Sequence, residues 1–164
     1  MVEDNHFNYN NLKYMDYSET SHLTFLLDGE TFAVNVAHIT EVLEFRNITK
    51  VPQVPDFMKG VINLRGDVIP IISLRHKLNM NEIESTDDMV IIVLCFTYNK
   101  KIMKIGAVAD KVNEVTTILP EDIQLFPDIT SNYNPEFING MHKYLNSFVI
   151  ILNINTIIHS VLKN

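Results

Sequence analysis

Gly60-Val61-Ile62-Asn63-Leu64-Arg65-Gly66-Asp67-Val68-Ile69-Pro70-Ile71-Ile72-Ser73-Leu74 is the stretch that decides the fold class. Two runs rich in Val and Ile flank Arg65-Gly66-Asp67, the composition of two paired strands joined by a tight turn. Gly66 supplies the backbone freedom such a turn needs.

Upstream, Val51–Phe57 carries Pro52 and Pro55, which remove backbone donors and disfavour helix before them. A surface crossing is expected, with a short helical turn near Asp56–Gly60. In Ala37–Phe45, the spacing of Ile39, Val42 and Leu43 predicts one helical turn before the chain extends. Leu23–Val36 reads as a hairpin about Asp28-Gly29, with Phe25 and Leu27 lining one face of the first strand and Phe32, Val34 and Val36 one face of the second. Residues 1–22, rich in Asn, Tyr and charge, read as a mobile polar tail. The domain is expected over residues 23–164.

Downstream, Arg75–Met80 predicts a short helix and Asn81–Asp88 an acidic loop. Met89–Phe96 is a continuous apolar run, as in a strand buried on both faces. Ile102–Ile118 returns as one or two strands before Pro120, and Pro120–Phe137 is a long irregular stretch with three prolines. Phe148–Ile154 predicts another buried strand. Ile157, Ile158, Val161 and Leu162 place one apolar stripe on a C-terminal helix. Many short strands and tight turns predict a barrel or sandwich.

The chain has 164 residues, 46% hydrophobic, with 13 Lys and Arg against 20 Asp and Glu, a net charge of −7 with His neutral. That composition excludes global disorder. It argues against nucleic-acid binding and against electrostatic binding to anionic membranes. One cysteine makes no internal disulfide. The acidic, polar start lacks a secretory pattern, and no apolar run reaches the ~20 residues of a membrane helix. A cytoplasmic protein is expected.

The six histidines include no HExxH, and no metal site is expected. Cys95, inside an apolar run, reads as a small core residue. The common glycine-rich nucleotide cradles and the GxSxG elbow are missing. Glu82, Glu84, Asp87 and Asp88 read as solvated loop carboxylates. No catalytic constellation and no cofactor are expected, which points to a binding module.

The stretch Phe57–Arg75 closely resembles the signature of the CheW family, the coupling proteins of bacterial chemotaxis, which reads roughly F-x-x-G-V-x-N-L-R-G-x-x-x-P-V-x-D-L-R. FAVNVAHITEVLEFRNITKVP before it, and IGAVADKVNEVTTILPEDI and FVIILNINTII after it, resemble further family blocks in the same order. The resemblance runs from about Leu23 to Leu162. Ser73 stands where Asp is usual, Ala109 where Val is common, and MHKYLNS replaces a shorter turn near Gly140–Phe148.

The resemblance implies a mainly β fold: two intertwined SH3-like five-stranded β-barrels, a few short helices, a C-terminal helix, and an apolar groove between the barrels. It implies a non-catalytic adaptor bridging chemoreceptor cytoplasmic tips and the regulatory domain of the histidine kinase CheA. Such an adaptor is cytoplasmic and joins receptor arrays through its partners, with no nucleic acid and no membrane insertion. Carried over by position, the receptor groove comprises Ile39, Glu41, Val42, Ile48, Arg65, Val112 and Val115, while Gly60 and Gly66 serve backbone geometry. By residue type the aliphatics are equally ordinary core, and Arg65 is equally an internal bridge to Glu41 or Asp67. An adaptor of another receptor–kinase pathway and a small ligand-binding β-barrel remain as alternatives.

Overall fold

Asp28 and Gly29 both take positive φ, 53° and 77°. They reverse the chain between β1 (Ser21–Leu27) and β2 (Glu30–Asn35), as an Asp-Gly pair does in a two-residue hairpin loop. Arg65 and Gly66, at φ 52° and 88°, do the same between β4 (Met58–Leu64) and β5 (Asp67–Ser73). The computed structural model describes residues 20–127 and 133–163; most of the polar N-terminal stretch therefore lies outside the described residues.

The other strands are β3 (Ile39–Glu44), β6 (Val90–Tyr98), β7 (Lys101–Ala109), β8 (Lys111–Thr117), β9 (Ile138–Tyr144) and β10 (Ser147–Leu152). Among the described residues, ten strands form two five-stranded sheets. The first runs β8-β1-β2-β10-β9, the second β3-β6-β7-β5-β4. The chain changes sheet twice, through a 3-10 turn at Val36–His38 after β2 and through Asp110 after β7, so the halves are intertwined. Each sheet has one parallel pairing, β10 with β2 and β5 with β7. Neither sheet closes on itself by strand pairing among the described residues, which refines the expected barrels to curled SH3-like sheets. A single bridge flanks each last strand instead, Thr49 to Val61 on β4 and Gln124 to Met141 on β9.

Alternation places side chains in three cores. Leu23, Phe25 and Leu27 join Phe32, Ile72, Ile92 and Leu94 in a large core shared between the sheets. Helix α1 (Leu74–Lys77) and helix α2 (Ile154–Leu162) are packed onto it through Leu74, Ile157 and Ile158. Ile62, Leu64, Ile69, Ile71, Ile91 and Val93 fill the curl of the second sheet. Ala33, Ile118, Val149 and Ile151 form a much smaller cluster in the first. β6 is buried on both faces from Ile91 to Leu94, as its unbroken apolar run predicts.

Three local expectations change. Ile39, Val42 and Leu43 lie in strand β3, and the helical piece sits upstream at Val36–His38, where the Asn35 side chain accepts from the Ala37 N–H at 2.9 Å. A register irregularity between Ile39 and Glu41 produces the spacing that mimics a helical turn. Near Asp56 there is only a turn, closed by Met58 N–H donating to Pro55 C=O at 2.9 Å. Cys95 is half-buried opposite Lys104, because β6 runs past its core there.

A candidate docking groove between the two sheets

β3 and β8 are the strands that enter each sheet after a change of sheet, and both end up as edge strands. Each is hydrogen-bonded on one side only, β3 to β6 and β8 to β1. Ile39 and Val42 on β3, and Val112 and Val115 on β8, are half-buried and pack against the same shared core. Four stiff β-branched side chains thus stand over one apolar floor with their outer surfaces in solvent. A cleft of about 550 Å³ opens where the strands approach, lined by Glu44, Phe45, Val90, Lys111 and Val112 with Asp87 and Asp88 of the acidic loop.

Glu41 precedes Val42 on β3 but is turned to the other face, level with Val93, and there it meets Arg65. The Arg65 Nη1 donates to Glu41 Oε1 at 3.0 Å and Nη2 to Oε2 at 3.2 Å, a two-pronged pair. The Arg65 side chain is 73% exposed and that of Glu41 16%. The internal bridge therefore exists, and it leaves the outer face of the guanidinium free to meet another chain. The hydrogen bonds it donates to Glu41 raise the Arg65 pKa above its ordinary value.

Ile48 stands apart from the other groove aliphatics. It packs with Phe45 against the core of the second sheet, next to the Thr49–Val61 bridge. Gly60 makes that approach possible: with φ at 140°, a Cβ there would lie 2.1 Å from the Thr49 carbonyl oxygen and 2.8 Å from Ile48 Cγ2. Gly66 faces open space and is required only by its φ.

Two features escaped the residue-by-residue reading. Arg75 is almost fully buried and bound to Asp110, a pairing that requires the tertiary fold to see. Ser73, standing where an Asp is usual, caps α1 by accepting from His76 N–H at 3.0 Å and donates its hydroxyl to the Glu82 carboxylate. Glu82 thus brings from the acidic loop the carboxylate that position 73 lacks, and Lys59 pairs with it at 3.2 Å.

Other hollows lie away from the groove. One of about 700 Å³ is bordered by Glu30, Met80, Phe126, Tyr133 and Phe148. There the Tyr133 hydroxyl donates to Glu30 at 2.6 Å, and burial together with that bond holds its pKa above the usual phenol range. Among the described residues no group of three or more His, Cys, Asp or Glu is arranged to hold a metal ion.

The CheW-like domain model matches residues 21–162. The chemotaxis protein CheW of Bacillus subtilis (strain 168) is 29% identical over 136 residues, covering 83% of this chain and 85% of that protein. The chemotaxis protein CheW of Rhizobium meliloti (strain 1021) is 34% identical over 119 residues, covering 73% and 74%. The crystal structure of the scaffolding protein TtCheW from Thermoanaerobacter tengcongensis superposes with a TM-score of 0.73 at 28% identity, covering 84% of this chain and 86% of that one. With its two intertwined sheets and a family match spanning almost all of its described residues, this chain belongs to the CheW family of non-catalytic chemotaxis scaffolds.

Proposed function

We infer that this protein is an adaptor coupling chemoreceptors to the histidine kinase CheA, working in the cytoplasm at receptor arrays. The observation that carries this is the quartet Ile39, Val42, Val112 and Val115, half-exposed on the edge strands of two different sheets over one core. A helical hairpin tip docks by laying an apolar stripe into such a trough, with polar contacts at its rim. Glu41 and Arg65 serve in this reading as polar contacts from the other face of the same edge strand, already held in one geometry by their mutual bonds, which lowers the ordering cost of recognition. The kinase regulatory domain then takes a surface outside the groove, so that both partners are held at once. No helix among the described residues is long and apolar enough to cross a membrane.

The test is co-sedimentation with a receptor tip fragment and with the CheA regulatory domain, each alone and then together, followed by kinase assays in reconstituted arrays. The protein is expected to pellet with each partner and to change kinase activity. A protein that does neither removes the proposal. Binding of a small metabolite instead would favour the ligand-binding barrel, for which the hollow inside the first sheet, bordered by Thr24, Thr116, His142 and Tyr144, is the place to look.

A further inference from the structure

We propose that Arg75 and Asp110 form a clamp that sets the spacing of the two groove walls, which makes them positioning residues for the docking described above, on which this inference rests.

Asp110 is the single residue between the end of β7 in the second sheet and the start of β8 in the first. It is held from both sides. Its N–H donates to the Leu26 carbonyl at 2.9 Å, and its Oδ2 accepts from the Asp28 N–H at 2.9 Å, which ties it to the first hairpin of the first sheet. From the other side comes Arg75, on α1 directly after β5 of the second sheet. Arg75 Nη2 donates to Asp110 Oδ2 at 2.6 Å and Nε to Oδ1 at 3.2 Å. Its remaining arm donates to the Asn81 carbonyl at 2.8 Å and lies 3.5 Å from the Asp28 carboxylate. One planar guanidinium thus joins α1, the loop after it, the sheet-changing residue and the β1–β2 turn.

Arg75 is 6% exposed, so these bonds work away from bulk water and their geometry is tight. A lysine carries the charge but not the fork. The hydrogen bonds to Asp110 also raise the Arg75 pKa, consistent with a firmly held cation. Among the described residues the other change of sheet has no ion pair; at Val36–His38 a side-chain brace is Asn35, which accepts from the Ala37 N–H. Val112 lies two residues beyond Asp110 on a strand held by β1 alone, with Val115 further along it. A tilt about Asp110 carries both valines relative to Ile39 and Val42, so the ion pair fixes the width of the trough.

The test places nitroxide labels at Thr40 and Asn113, exposed positions on β3 and β8, in a Cys95→Ser background. Pulsed electron resonance reads the distance across the groove in the protein without partners. Asp110→Asn keeps an acceptor for the Asp28 N–H and loses the charge. Arg75→Lys keeps the charge and loses the fork. Both are expected to broaden a narrow distance distribution and to weaken receptor-tip binding about five-fold or more, leaving binding of the CheA regulatory domain unchanged. Arg75→Met combined with Asp110→Leu removes both buried charges and keeps apolar volume, giving a folded variant without the clamp if the single changes do not fold. An unchanged distribution in cooperatively melting variants overturns the clamp. Broadened distances in a protein whose parent binds no receptor tip leave the clamp standing and remove the docking reading.

Discussion

Inside the second sheet, Ile62, Leu64, Ile91 and Val93 meet as an aliphatic filling; at the matching register positions of the first sheet stand His142, Tyr144, His22 and Thr24. The two sheets otherwise repeat one plan. The Phe57 carbonyl accepts from Ser73 N–H at 2.8 Å, and the Phe137 carbonyl from Asn153 N–H at 2.8 Å. Ser73 caps α1 and Asn153 caps α2. Gly60 lets Thr49 approach β4, and Gly140 lets Gln124 approach β9. The turn at Arg65-Gly66 is matched by one at Leu145-Asn146. Strand order and turns therefore do not require an apolar interior in both halves. The second sheet is filled so tightly that a Cβ at Gly106 would lie 2.5 Å from Ile71 and 2.7 Å from Ile91, while its counterpart in the first sheet is Ala33. The first keeps a hollow of about 200 Å³ lined by Thr24, Thr116, His142 and Tyr144. One half rests on packing; the other takes its stability mainly from the shared core on its far face.

The largest expected break of this comparison is Val93→Asp. Val93 is fully buried among aliphatics, and an unpaired carboxylate there costs several kcal/mol. Thermal melting is expected to lose cooperativity. Thr24, at the matching position, is itself buried and donates to the Glu114 carbonyl, but it borders the hollow, which gives a carboxylate room for water; Thr24→Asp is therefore expected to lose less stability and to keep a cooperative melt. Equal losses at both sites would erase the distinction between the halves.

Next come the glycines. Gly60→Ala forces a Cβ onto the Thr49 carbonyl at an unfavourable φ, with a cost on the order of 3 kcal/mol measured by denaturant melts. Gly66→Ala meets no atoms and is expected to lose about 1 kcal/mol from its left-handed backbone. Gly106→Ala overpacks the aliphatic interior, costing about 1–3 kcal/mol.

Acid sharpens the comparison further. His22 has its pKa lowered from 6.5 by burial, against the raising effect of its bond to Thr20, with His142 nearby lowering it again. The unfolded chain binds this proton more readily than the folded one. Stability is therefore complete above about pH 6.5 and declines as pH falls through that value toward the folded pKa. Half-buried His38 is displaced the same way by burial. His22→Ile, which copies the residue at position 91, is expected to flatten the pH dependence of melting between pH 7 and pH 5, leaving the His38 share. An unchanged profile would show that the polar interior does not sense acid.

The smallest stability effect is expected for Arg65→Ala, since its guanidinium is solvent-facing. Melting should stay near the parent value while receptor-tip binding weakens, measured by calorimetry. Wholesale unfolding would mean that the Glu41 pair is structural.

Much of the fold was legible because the signals are local. Asp28-Gly29 and Gly66 mark reversals through backbone freedom, and the alternation from Leu23 to Leu27 assigns strand faces without any partner. The segment Ile39–Leu43 misled because a register irregularity imitates helical spacing. The two-fold plan came from the family resemblance and not from the residues, because beyond Phe57 with Phe137 and Gly60 with Gly140 the halves share positions more than residue types, as Ile62 and His142 show. In the candidate site, the residue types of Ile39, Val42, Val112 and Val115 are equally those of a core.

By itself the sequence determined the net acidity, which is a sum over composition, and the hairpins, the apolar strands and the stripe on the last helix, since each of these depends on neighbours within a few residues. Only the tertiary structure decided that β3 and β8 become edges over one core, that Ile48 belongs to the second sheet's filling, and that Arg75 reaches Asp110. Those outcomes join residues far apart along the chain, and local backbone preference and alternation do not act over such separations.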